Sequence, residues 1–181
     1  MNLVTKSADW GIWDDCYKFV QDGNPEFVEG NLNEITFENL KINHLVIVNN
    51  VGEIKYQRSY DFVEHKELSL PDEIKKRLAA GGDFLVHPDI NNYYSGLLST
   101  GNQSVIFVAR PILTTKHEGP SRGVLLFATD VNREFVEALS KTVKFPLSIA
   151  AASLKERIVP EIKILDENTV QGEFYIEGFN H

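Results

Sequence analysis

Leu45-Val46-Ile47-Val48-Asn49-Asn50-Val51-Gly52-Glu53-Ile54-Lys55-Tyr56-Gln57-Arg58-Ser59-Tyr60 reads as two strands and a turn. Its first four residues are a short apolar run, the pattern of a strand covered on both faces. Asn49-Asn50-Val51-Gly52 supplies turn chemistry. Ile54, Tyr56, Arg58 and Tyr60 then alternate with Glu53, Lys55, Gln57 and Ser59, which predicts a hairpin partner with one wet face.

The same logic extends outward in both directions. Val105-Ile106-Phe107-Val108-Ala109 is apolar on both faces, so Gln103 to Leu113 is expected to be a strand. Pro111 should mark its edge, a bulge or its end. Gly123 to Thr129 is a second two-faced strand, expected to pair with it across the polar loop Thr114 to Ser121. Asp130 is a candidate cap for a helix over 132–142 with Phe135, Val136 and Leu139 inward. Two further strands are expected around Asp166-Glu167-Asn168. Upstream, Asn24-Pro25-Glu26 has the N-cap and first-position proline of a helix start. Pro71-Asp72-Glu73 opens another short helix, which Gly81-Gly82 stops. Residues 83–95 read as irregular. Antiparallel strands with helices to one side define an α+β domain.

The 181 residues carry a net charge of -8, which gives no basic footprint for nucleic acid or anionic lipid. Cys16 is the single cysteine, so neither an internal disulfide nor a multi-cysteine metal site can form. No stretch reaches the roughly 18 apolar residues of a membrane span, and residues 1–10 lack an apolar signal core. His44, His65, His87, His117 and His181 are too dispersed to spell a metal motif. Gly81-Gly82-Asp83-Phe84 matches a cyclase signature only in part. Phosphate-loop, serine-elbow and dinucleotide fingerprints are absent. No metal and no cofactor are expected.

Residues 5–22 have a helical period. One arc holds Trp10, Ile12, Trp13, Cys16, Tyr17, Phe19 and Val20, with Asp9 at its middle. A buried carboxylate needs a partner. Arg110 is the natural candidate, since it shares a strand face with Ile106, Val108 and Ile112, and Arg122 is the second. Arg110 is then either half of an ion pair tying helix to sheet or the fork that meets an anionic ligand, with Asp9 orienting it. Trp13 and Tyr17 either pack the helix on the sheet or wall a pocket, together with Tyr56 and Phe107. The candidate ligand-binding set is Asp9, Trp13, Tyr17, Tyr56, Phe107, Arg110 and Arg122, with the loop 83–95 and its Tyr93 and Tyr94 as lid. Asp14 and Asp15 point about 100° apart and suit a solvated face, with Asp15 able to hold a neighbouring loop. Cys16 reads as a buried, inert thiol.

Asp9-Trp10-Gly11-Ile12-Trp13-Asp14-Asp15-Cys16-Tyr17, Asn31-Leu32, the Asn49 to Ile54 turn, Arg110-Pro111-Ile112-Leu113 and Gly119-Pro120-Ser121-Arg122-Gly123 occur in this order. The set resembles the fourth class of CHASE domains, the cyclase- and histidine-kinase-associated sensory extracellular domains. The resemblance covers roughly residues 5–178. It implies a PAS-like or Cache-like antiparallel sheet with a long N-terminal helix and short helices on its faces. It also implies a non-catalytic input domain on the extracellular or periplasmic side of a plasma-membrane receptor. The output would be a histidine kinase, a diguanylate cyclase or a chemotaxis-type segment. Residues 1–181 are then expected to be one extracytoplasmic sensory domain cut from a longer chain, with the last part of the sheet truncated. Its expected partners are a small molecule, a second copy of itself, and the membrane only through flanking helices outside this chain. The alternatives from other classes are a ligand-free dimerisation module and a stand-alone soluble enzyme.

Overall fold

The computed structural model describes residues 2–87, 89–101, 103–150, 161–174 and 176–179. The chain divides into two compact units. One takes in the described residues of 1–131 together with Phe179, and the other those of 132–178.

The first unit begins with four short helices, α1 (Leu3–Gly11), α2 (Asp14–Asp22), α3 (Pro25–Asn31) and α4 (Glu34–Leu40). Asparagine opens three of them. Asn2 accepts from the Thr5 amide, Asn24 from Glu26 and Asn33 from Thr36, each satisfying an amide that the helix leaves orphaned. The strands follow as β1 (His44–Asn49), β2 (Ile54–Asp61), β3 (Lys66–Glu67), β4 (Tyr94–Ser99), β5 (Ser104–Pro111) and β6 (Gly123–Asp130). Helix α5 (Asp72–Leu78) and a 3-10 turn (Asp83–Leu85) lie between β3 and β4. The sheet is antiparallel throughout, in the order β3-β2-β1-β6-β5-β4.

Alternation sends each strand's residues to two cores. Leu45, Ile47, Val108, Ile112, Leu125 and Phe127 meet Phe19, Phe27 and Phe37 from α2, α3 and α4. Val46, Val48, Phe107, Ala109, Leu126 and Ala128 meet Ile74 and Leu78 of α5 and Phe84 of the 3-10 turn. Both faces are covered, which is why β1, β5 and β6 read as continuous apolar runs. Each fully buried Phe or Leu contributes about 2 kcal/mol.

The second unit holds α6 (Arg133–Val143) and the hairpin of β7 (Glu161–Asp166) and β8 (Thr169–Glu173). Its helix is capped by Asn132, which accepts from the Phe135 amide, and not by Asp130. Asp130 is engaged with His44 instead. No helix among the described residues is long and apolar enough to cross a membrane.

The long N-terminal helix is two helices. Ile12 leaves the helix to form a parallel bridge with Leu113, whose amide donates to the Gly11 carbonyl at 2.8 Å. Asp14 then restarts the helix, and it is Asp14 rather than Asp15 that holds the neighbouring loop. Its amide donates to Thr115 Oγ1 at 3.2 Å, and the Thr115 amide donates back to its carboxylate at 2.9 Å.

Candidate ligand-binding site

Arg110 sits near the end of β5 on the face shared with Val108 and Ile112, as the alternation requires, and is only 7% exposed. Its Nε donates to Ser7 Oγ at 3.0 Å, and a terminal nitrogen donates to the Val4 carbonyl at 3.3 Å. Ser7 in turn donates its own proton to Val4 O at 2.9 Å. The Tyr93 ring lies over the guanidinium, 5.0 Å from Cζ. Gly11 makes this approach feasible, because a Cβ there would stand 2.5 Å from Arg110 Cδ. Burial lowers the pKa of Arg110, and the charges of Tyr93 and Asp9 oppose that effect. Among the described residues no carboxylate forms an ion pair with it, so a buried cation rests on neutral oxygens and a ring face. That arrangement has unspent capacity for an anion.

Asp9 does not reach Arg110. It is exposed, and only its field is felt there. The expected arc treated residues 5–22 as one helix. With α1 ending at Gly11, its buried positions are Leu3, Ser7 and Gly11, a strict i, i+4, i+8 row. Asp9 stands about 200° from Ser7 on that wheel and faces out.

The other expected pocket residues separate into distinct places. Tyr17 and Arg122 come together at the surface, where Arg122 Nε donates to the Tyr17 hydroxyl at 3.0 Å and that hydroxyl donates to Pro120 O at 3.2 Å. Arg122 therefore does not serve Asp9. Trp13 packs against Trp10 and Phe27, with ring centroids at 5.8 and 5.4 Å. Tyr56 donates to the Leu32 carbonyl at 2.9 Å. Phe107 is fully buried on the opposite face of the sheet, so it shares no pocket with Trp13, Tyr17 or Arg110.

The loop 83–95 divides at its end. Tyr93 covers Arg110, whereas Tyr94 opens β4 and turns to the other core, its hydroxyl donating to Val86 O at 2.6 Å. His87 lies beside Tyr94, with ring centroids 5.0 Å apart. Both of its nitrogens are shielded from solvent, and neither has a hydrogen-bond partner among the described residues. Burial pushes its pKa below the usual imidazole range and the Arg110 charge adds to this. The nearby backbone of Phe84 and Asn92 favours the protonated ring more weakly, without reaching full hydrogen-bond geometry. A shallow depression of about 380 Å³, lined by residues that include Asp72, Lys75, Thr100 and Gln103, contains none of the expected residues.

One constellation escaped the sequence reading. His44 Nδ1 is 2.8 Å from Ser59 Oγ and Nε2 is 2.9 Å from Asp130 Oδ1. These are the residue types of a hydrolase triad, but Ser59 is 4% and His44 1% exposed, so no substrate carbonyl reaches the hydroxyl. The three side chains tie β1 to β2 and β6. The only sequence signal was a histidine opening an apolar run, directly opposite a serine once the hairpin register is drawn.

The family model for the CHASE4 domain matches residues 1–150. The methanogenesis regulatory histidine kinase FilI of Methanothrix harundinacea is 22% identical over 152 residues, covering 84% of this chain and 17% of that protein. The chain thus spans about a sixth of that relative's length. Among solved structures, the extracellular domain of vpHK1S-Z8, described as a histidine kinase, aligns with a TM-score of 0.54 at 15% identity. That alignment covers 76% of this chain and 52% of the other. It is a likeness of fold, with the same combination of helices and antiparallel sheet.

Proposed function

Because the chain belongs to the CHASE4 domain family of sensory input domains, we propose that it is the extracellular input domain of a membrane-bound histidine kinase, and that its task is to bind a small anion rather than to catalyse a reaction. The kinase output is supported by the likeness to the histidine kinase FilI and to vpHK1S-Z8, and the extracellular placement by the likeness to the extracellular domain of vpHK1S-Z8. The observation that carries the ligand class is Arg110, a buried guanidinium held by Ser7, Val4 and the Tyr93 ring.

In this reading a carboxylate-sized anion enters beneath Tyr93 and takes the unused edge of the guanidinium. The anion draws the guanidinium toward itself, so the bonds from Nε and the terminal nitrogen to Ser7 and Val4 lengthen and Arg110 loosens its hold on α1. The ligand favours one placement of α1 against β5 and shifts the population toward it. Asp9 sets an electrostatic threshold near the entrance. Trp13, Tyr17 and Arg122 position α2 and the loop after β5, Tyr56 holds the end of α3, and Phe107 supports the sheet from behind. A second copy of the chain is the other partner we propose. It is supported by the exposed Ile162, Ile164 and Val170, which share one face of the β7–β8 hairpin.

The test is a thermal-shift screen with small mono- and dicarboxylates, sulfate and phosphate, followed by calorimetry. An anion at about a hundred times its Kd should stabilise the wild type by about 2.7 kcal/mol, and Arg110→Lys should lose most of that gain. No stabilising anion in the screen, or one that acts equally on Arg110→Lys, overturns the assignment.

A further inference from the structure

On the side of the sheet away from Arg110, four aromatic rings form a box. Phe84 stacks on Phe107 at 4.7 Å and on Tyr94 at 6.0 Å. The fourth ring is Phe179, which reaches this unit after the chain has left it at Val131. It meets Phe107 at 5.2 Å, Phe84 at 5.6 Å and Tyr94 at 5.8 Å, each edge-on. Its amide donates to Leu97 O at 2.6 Å. Gly96 of β4 lies beneath it, where a Cβ would stand 3.3 Å from the Phe179 Cβ, a tight contact.

Among the described residues of 174–179, residues 174 and 176–178 are exposed and Phe179 is partly covered. The other walls have partners of their own: Phe84 stacks on Phe107, the Tyr94 hydroxyl donates to Val86 O, and Arg77 is fixed by Glu73 and Asp83. Those two carboxylates take Nε and one terminal nitrogen and balance the positive charge. The flat face of the guanidinium lies over Phe84 and Phe179, at 5.5 Å from each ring. A face offered in this way attracts a π system, and the two carboxylates beside it disfavour an anionic ligand.

We propose that Phe84, Tyr94, Phe107 and the face of Arg77 form a binding site for a neutral aromatic ring, that Phe179 occupies it as a tethered ligand, and that a free aromatic small molecule competes for the same seat. Displacement releases the Phe179 amide from Leu97 and frees the segment that precedes it. The site lies on a different face from Arg110 and does not depend on the anion reading.

The probe is p-cresol, followed by calorimetry on the full chain. Phe179→Ala should bind it at least tenfold more tightly than the wild type, and the double variant Phe84→Ala/Phe179→Ala should lose that gain. Equal affinity in wild type and Phe179→Ala, or a gain that survives in the double variant, overturns the proposal. Hydrogen exchange of the Phe179 amide in the wild type tests it without any substitution. Saturating p-cresol should speed that exchange at least tenfold, and an unchanged rate counts against it.

Discussion

Nε of Arg110 donates a 3.0 Å hydrogen bond to Oγ of Ser7, joining the fifth strand to the first helix across 103 residues of sequence. Ser7→Ala removes the acceptor from a buried, charged donor. It should cost about 1.5–3 kcal/mol in urea unfolding. Arg110→Met keeps an apolar stem beside Gly11 and deletes the buried charge. Its stability should stay within about 1 kcal/mol of wild type or rise, while any anion-induced shift in Tm disappears. A Met variant as unstable as Ser7→Ala would mark the arginine as structural.

His44 links β1 to β2 and β6 through both of its nitrogens. His44→Ala strands Ser59 and Asp130 and leaves a void between β2 and β6. A loss of about 3 kcal/mol is expected from denaturant titration. A loss under about 1 kcal/mol would show that water replaces the ring without penalty.

His87 should give stability a pH dependence. Its pKa is lower in the folded protein than in the unfolded chain, chiefly through burial. Well above the ordinary imidazole value of about 6.5 both states are neutral there and the contribution is complete. As pH falls below that value the unfolded chain takes up a proton that the folded protein resists, so stability declines down to the folded pKa and then levels off. His87→Phe should flatten the slope as pH falls below about 7 in unfolding curves. A slope equal to that of wild type would assign the effect to other groups.

Cys16 is fully buried in the helix-side core, and burial pushes its thiol up to about 12. A thiol reagent at neutral pH should leave the native protein unmodified and react at once in denaturant. Native-state labelling should therefore follow the opening of α2. Rapid labelling without denaturant would contradict the packing of Cys16 against the sheet.

The parts legible in the sequence are those governed by local rules. The β1–β2 hairpin, the β5–β6 pair, the Asn24-Pro25 start of α3 and the hairpin around Asp166 all follow from turn residues and apolar runs. Strand β4 was missed because Tyr94-Ser-Gly-Leu-Leu-Ser has no clean alternation and carries a glycine, which sits close under Phe179. The two-residue β3 is too short to leave a pattern. The end of α1 was missed because a long-range contact, the Ile12–Leu113 bridge, overrides a helical period that is otherwise continuous. Asp9 was misplaced for that same reason. Arg110 was legible because alternation along β5 is local, whereas its partners Ser7, Val4 and Tyr93 depend on where α1 and the end of the 83–95 loop come to rest.

The sheet order has a kinetic consequence. Strands β1 and β2 are joined by a short turn, and β4, β5 and β6 form a second run of neighbours, so each half can assemble from nearby chain. The seam between the halves is β1 on β6, where His44 lies opposite Ala128, about 80 residues away in sequence. Closing that seam is the entropically costly event, and it is also what completes both cores. Folding should therefore be limited by the meeting of two preformed halves, with substitutions at Val46 or Leu126 slowing it more than equal losses of stability in α3 or α4.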